Sequence, residues 1–207
     1  MQFTSDQAAV LAEIMRWRRD VRHFRADTVP EAVLTRLSVA MDLAPSVGNA
    51  RPWRVLRVRD PAVRARVIAL FEIANTAAAC GYADAARDDY QRLKLAGLRE
   101  APEHLAVFSV IDPAEGHGLG RQTMPETLAY STVMAMYALW LAARAENLGL
   151  GWVSILDPAA TAAAMGAPEG WQFIGYLCLG YADFDDDTPL LHRVGWQENQ
   201  VHDWVVL

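Results

Sequence analysis

Two apolar periods alternate along the chain, one of about 3.6 residues and one of two. Near the start, Ala9, Val10, Ile14 and Trp17 fall on one helical face, with Ser5 or Asp6 as the cap. A second stripe, Val33, Leu34, Leu37, Ala40, Met41 and Ala44, is opened by Pro30 and stopped by Pro45. The turn "PSVGNARPW" follows, and then a strand from Trp53 to Val58 that Asp60-Pro61 closes. A third helix is predicted from Val63 to about Ala79, and a polar, mobile-looking stretch after it, residues 80–102. "HLAVFSVID" and "WQFIGYLCLGYA" read as strands, and so does "LGWVSIL", which carries Ser154. Between the last two, a short helix from Ala159 to Met165 ends at Gly166.

The run "TLAYSTVMAMYALWLAA", Thr127 to Ala143, has no charge. It is just short of the roughly 20 apolar residues that a membrane span needs, it includes Thr, Ser and two Tyr, and no second run resembles it. It predicts a helix buried on nearly all sides, in the core or between subunits, rather than a span. Four strands separated by helices would suit a doubly wound parallel sheet. No strand, however, leads into a Gly-rich phosphate loop that opens a helix. The nearest candidate, "EGHGLG" from Glu115, follows an Asp-Pro break and runs into a polar loop. The expected class is α+β, in one domain spanning residues 1–207 without repeat or linker.

Composition narrows the function. A formal net charge of -6 argues against general binding of nucleic acid, whose phosphates are met by a basic face. Hydrophobic residues at 53% and charged residues at 21% support a substantial core rather than disorder. Cys80 and Cys178 show no ligand or disulfide spacing, and "MQFTSDQAAVLAEIM" lacks the pattern of a signal peptide, so a reduced cytoplasmic protein is expected. The five histidines have no metal-ligand spacing, and no metal is expected. Ser154 lies outside any G-x-S-x-G elbow, which excludes that hydrolase class.

Against this acidity, "MRWRRDVRHFR" sets five arginines around a single acid, Asp20. Arg18, Arg19 and Arg22 offer planar forks that match phosphate oxygens two at a time. The same run equally suits a solvated helix end. In "APSVGNARPW", Ser46 and Asn49 sit in a turn whose N–H groups can meet a flat ligand, or simply stop a helix. In "LGLGWVSILDP", Gly151 beside Trp152 permits close backbone approach, and Ser154 needs a hydrogen-bond partner.

The order of "RRDVRHFR", "LAPSVGNARPW", "RLKLAGLREAP" and "GLGWVSILDP" resembles the nitroreductase-like flavoprotein superfamily, from about Trp17 to "VGW" at Val194. The resemblance implies a nitroreductase-like fold, a mostly antiparallel sheet flanked by helices, in an intertwined homodimer with FMN at the subunit interface. Arg18, Arg19, Val21 and Arg22 would line the FMN phosphate and pyrimidine edge. Ser46 and Asn49 would reach it from the partner subunit, and Gly151, Trp152 and Ser154 would follow its N5 side. Lys94 belongs to an implied lid, about 83–102, and residues 183–207 form a tail.

R-R-D in place of the superfamily's R-R-S, together with W-V-S-I-L, is similar to one branch. Its members consume reduced FMN with O2, giving 5,6-dimethylbenzimidazole and erythrose 4-phosphate for the lower ligand of cobalamin. A separate flavin reductase supplies the reduced FMN. On that footing Asp20 moves protons and Ser154 bonds near N5. Arg51 stands where the superfamily has Gln; it is expected to stabilise the anionic reduced flavin, the alternative being a side chain turned to solvent. The competing expectations are an NAD(P)H-dependent nitroreductase or dehalogenase of the same fold, and a non-catalytic flavin-binding module.

Overall fold

The computed structural model describes residues 1–207, the side chains of residues 84 and 85 excepted. The elements run α1 (Ser5–Trp17), α2 (Glu31–Asp42), β1 (Trp53–Arg57), α3 (Pro61–Ala79), α4 (Asp84–Arg92), β2 (Glu103–Val110), α5 (Thr127–Ala145), β3 (Gly149–Val153), α6 (Pro158–Met165), β4 (Trp171–Gly180) and α7 (Leu190–Arg193). Sequence punctuation explains most of the boundaries. Asp60 and Asp157 cap α3 and α6 by accepting from the amides of Ala62 and Ala160, with a proline at the first helical turn of each. Gly166 closes α6 at φ 61°, a left-handed conformation that suits glycine. For α1 the cap is Thr4 rather than Ser5 or Asp6. Its hydroxyl accepts from Gln7 N and the Gln7 side chain accepts from Thr4 N, a reciprocal pair that a hydrophobicity count does not see.

All strand pairs in the sheet are antiparallel, in the order β1-β2-β4-β3. Ile174 is an extra residue, because Gly175 faces Val107 while Phe173 faces Phe108. Side chains alternate between two cores. Leu105, Val107, Leu150, Leu177 and Leu179 pack beneath α2 and α5. Ala106, Phe108, Val153, Tyr176 and Cys178 pack with Val67 of α3 and with Phe24, Leu98 and Ala101.

Two expectations need correction. The strand bearing "LGWVSIL" ends at Val153, because Asp157-Pro158 starts α6 and pulls the chain away, so Ser154 is exposed in the connecting loop. The polar stretch 80–102 is more ordered than its composition predicts. It contains α4, and Leu98 and Ala101 are buried behind it. Helix α5, expected in the core or between subunits, is not enclosed by its own chain alone, which leaves the second alternative. It buries Leu128, Ala135, Met136, Leu139 and Ala143, but Tyr130, Val133, Met134 and Tyr137 form an exposed apolar stripe at i, i+3, i+4 and i+7. No residue of α1 is buried, and Val10, Leu11 and Met15 also face outward.

Candidate active site

After α1 the chain straightens and lies along the free edge of β3. Asp20 bridges Leu150 in parallel, and Val21 N donates to the Leu150 carbonyl at 3.0 Å. Two glycines make this approach feasible. A Cβ on Gly151 would collide with the Val21 carbonyl oxygen, and one on Gly149 would sit 2.8 Å from a Val21 methyl. The strand then continues beside the chain after β4, where Phe24 bridges Ala182.

This registry fixes Asp20. One carboxylate oxygen accepts from Trp152 N at 2.9 Å, and the other accepts from Arg22 Nε at 2.9 Å. Arg22 also donates from Nη1 to the Lys94 carbonyl at 3.0 Å. The Lys94 ammonium itself pairs with Glu100 at 2.5 Å. Arg18 lies over the Trp140 ring, 4.8 Å from its centroid, and Trp140 Nε1 donates to the Arg19 carbonyl at 3.2 Å. Arg19 folds back on the carbonyls of Met15 and Arg16. Desolvation, helped by the neighbouring charge of Arg18, lowers the Arg19 pKa from its ordinary value. The Nε atoms of Arg18 and Arg19 are buried, and among the described residues neither has a hydrogen-bond partner. Buried guanidinium donors in that state favour an anion as their partner.

A cavity of about 230 Å³ opens here, between residues 17–23, the C-terminal half of α5 and residues 184–193. Its charged lining is Arg18, Arg19, Arg22, Arg144 and Arg193 against Asp20, Asp185 and Asp186, a local positive excess in an acidic chain. Arg144 pairs with Asp185 at 2.6 Å and Arg193 with Asp186 at 2.7 Å, which straps the tail over the opening. Sequence reading missed Trp140, Arg144 and Arg193. Trp140 was counted as part of an apolar run, and an arginine in a polar tail has no period to mark it. The cavity is smaller than the roughly 300–1,000 Å³ usual for organic ligands.

The second motif lies elsewhere on the same chain. Gly48, Asn49 and Arg51 take φ values of 56°, 55° and 47°, so the turn is left-handed at three of its positions. Ser46 Oγ accepts from Arg51 N at 3.0 Å, and Val47 N donates to Ser131 Oγ on α5 at 3.0 Å. The glycine loop from Glu115 serves this turn rather than a phosphate, since Gly116 packs against the Gly48 carbonyl with no room for a side chain. Arg51 turns to the end of α2, where it bonds the Asp42 carbonyl and covers the Trp53 ring at 5.7 Å. Ser131 and Trp140 are nine residues apart on α5, about 14 Å along its axis. One chain thus groups Arg18, Arg19, Asp20, Val21, Arg22, Gly151, Trp152 and the Lys94 backbone, and it holds Ser46, Asn49 and Arg51 at the other end of α5. Ser154 lies two residues beyond Trp152, exposed.

Among the described residues no cluster of His, Cys, Asp or Glu suits a metal ion, and no helix is long and apolar enough to cross a membrane. With this antiparallel α+β sheet and the arginine-lined cleft beside its edge strand goes a family match: the nitroreductase family model covers residues 15–181. The chain belongs to the nitroreductase family. Within that family it is 57% identical over 204 residues to the 5,6-dimethylbenzimidazole synthase of Rhodobacter capsulatus, covering 99% of both chains. To the enzyme of that name from Rhodospirillum rubrum it is 51% identical over 192 residues, 93% of this chain and 91% of the relative. Among solved structures, oxidized iodotyrosine deiodinase bound to FMN and 3-iodo-L-tyrosine shares the fold with a TM-score of 0.74 at 22% identity, covering 95% of this chain and 97% of that one.

Proposed function

We propose that this chain is a 5,6-dimethylbenzimidazole synthase, consuming reduced FMN and O2 and releasing 5,6-dimethylbenzimidazole and erythrose 4-phosphate in cobalamin biosynthesis. The observation that carries the reading is Asp20: a carboxylate fixed on the β3 edge inside an arginine cluster, in a chain 57% identical end to end to a synthase of that name. The residues fit the flavin. Arg18 and Arg19 have free buried donors for its phosphate, and Arg193 adds a third guanidinium from the tail. When bound, the reduced flavin supplies the electrons that O2 takes up and also the ring that is broken.

The protein's own part is positional. Asp20, fixed beside Gly151 and Trp152, would hold or accept a proton at its carboxylate oxygens. Ser154, exposed in one chain, is free to hydrogen-bond near N5. Residues 83–102 close over the site and exclude water. The exposed stripes of α5 and α1 pair in a homodimer, which brings Ser46, Asn49 and Arg51 of one protomer to the flavin held by the other. Arg51 must leave Asp42 to do so. Cys80 and Cys178 are both free thiols, which suits the reducing cytoplasm, where a separate reductase supplies reduced FMN.

The test is product analysis after mixing purified protein with reduced FMN in air. A benzimidazole should accumulate, and Asp20→Asn should slow its formation by about 100-fold or more. Simple reoxidation of the flavin, with turnover only when NAD(P)H is added, would replace this reading with that of a conventional nitroreductase.

A further inference from the structure

The Arg22 side chain hydrogen-bonds both the Asp20 strand and the segment that follows α4. Arg22, 13% exposed, spans from Asp20 Oδ2 at 2.9 Å to the Lys94 carbonyl at 3.0 Å, 72 residues away in sequence. With Trp152 N on the other oxygen, the carboxylate is held between the backbone of β3 and a guanidinium whose second anchor is in another part of the chain. The segment is docked on this side and also touches α3. Gly97 meets the Phe24 ring so closely that a Cβ would enter it, and Leu98 and Ala101 are buried. On its other side Leu98 packs with Val67, Ile68 and Phe71 of α3 and Arg99 pairs with Glu72, beside an open cavity of about 310 Å³ that Asn75 also lines. A segment with a gap beside it opens locally more readily once one of its anchors is lost.

We propose that Arg22 is a positioning residue that makes docking of residues 93–102 and orientation of the Asp20 carboxylate one event. With the segment docked, the Lys94 carbonyl holds the guanidinium, and the guanidinium holds Oδ2. With the segment lifted, Arg22 loses that anchor and Asp20 keeps only its bond from Trp152. Arg18 and Arg19, with their unpaired Nε atoms, are left as the anion ligands. The inference rests on the proposed function for what Asp20 does, while the bridge itself can be tested without it.

The experiment uses the full chain with Arg22→Lys, which keeps the charge but lacks the planar fork that reaches two acceptors. Affinity for FMN is read by fluorescence quenching, docking by trypsin cleavage after Arg92, Lys94 and Arg99, and chemistry by aerobic loss of reduced FMN. Affinity should stay within about threefold, because the charge is retained. Cleavage should quicken by at least about fivefold, since it follows the open population. Fragmentation should fall by at least about 30-fold, within the range for a misplaced proton-transfer group. Gly97→Ala, which alters no charge, should give the same pattern in weaker form. If affinity and rate fall together while cleavage is unchanged, Arg22 is an ordinary flavin ligand and the proposal is overturned. Wild-type behaviour of Arg22→Lys in all three overturns it as well. Should the wild type prove not to fragment FMN, cleavage and affinity still decide: faster cleavage at unchanged affinity upholds the bridge, and unchanged cleavage overturns it.

Discussion

At the scale of single residues, the position of Asp20 depends on an atom that is absent. The Asp20 strand lies against β3 because Gly151 has no Cβ to meet the Val21 carbonyl. Gly151→Ala should push the strand off the sheet edge, breaking the bond from Val21 N to Leu150 O and the one from Trp152 N to Asp20. The expected cost is about 1–3 kcal/mol, in the range of overpacked sites. Because the same strand carries Arg18 and Arg19, FMN affinity should fall with it. Urea unfolding and flavin fluorescence quenching check the two halves, and a stable variant with wild-type affinity would show that the glycine is dispensable. The motif itself was legible in sequence, since five arginines around one aspartate stand out in an acidic chain. The roles within it were not, because they are set by partners far along the chain: Trp140 for Arg18, Trp152 for Asp20, Lys94 for Arg22.

At the scale of elements, α5 was legible as a helix, and its surroundings only as two alternatives. An uncharged run predicts neighbours on all sides, and composition does not say which chain supplies them. The structure divides the helix into a buried face against the sheet and an exposed stripe of Tyr130, Val133, Met134 and Tyr137. The stripe lies between the end that holds the 46–51 turn through Ser131 and the end that holds the Arg18 strand through Trp140. Pairing two copies along it would bring unlike ends of α5 together and complete the site. Met134→Arg sets a charge in the middle of the stripe without disturbing the buried face. Sedimentation velocity should then show a shift from dimer to monomer, and FMN binding should weaken in parallel. An unchanged dimer would place the interface elsewhere. Strands β2 and β4 were read correctly for the opposite reason, because their partners lie within the same sheet and their alternation faces two cores of one chain.

At the scale of the whole molecule, the two cores and residues 93–102 are tied together by one buried histidine. The Ala101 carbonyl can only accept, so His104 donates to it from Nε2 at 3.2 Å, and Nδ1 accepts from the Tyr176 hydroxyl at 2.9 Å. This neutral tautomer links β2, β4 and the end of the docked segment. Burial, with the charge of Arg64 nearby, lowers the His104 pKa to about 4. The folded value lies below the unfolded one of about 6.5, so the unfolded chain takes up a proton that the native state refuses. The His104 contribution is therefore intact above about pH 6.5, declines as the pH falls toward 4, and levels off below that, a total of about 3 kcal/mol. Carboxylates such as Glu31, Glu146 and Asp187, held low chiefly by hydrogen bonds from arginines, add their own loss only at lower pH. The window from pH 6.5 to 5 thus isolates the histidine. Urea unfolding across it should show stability falling with pH in the wild type and a flattened slope in His104→Asn, whatever the intercept of that variant. Equal slopes would mean that the acid sensitivity of the fold arises elsewhere.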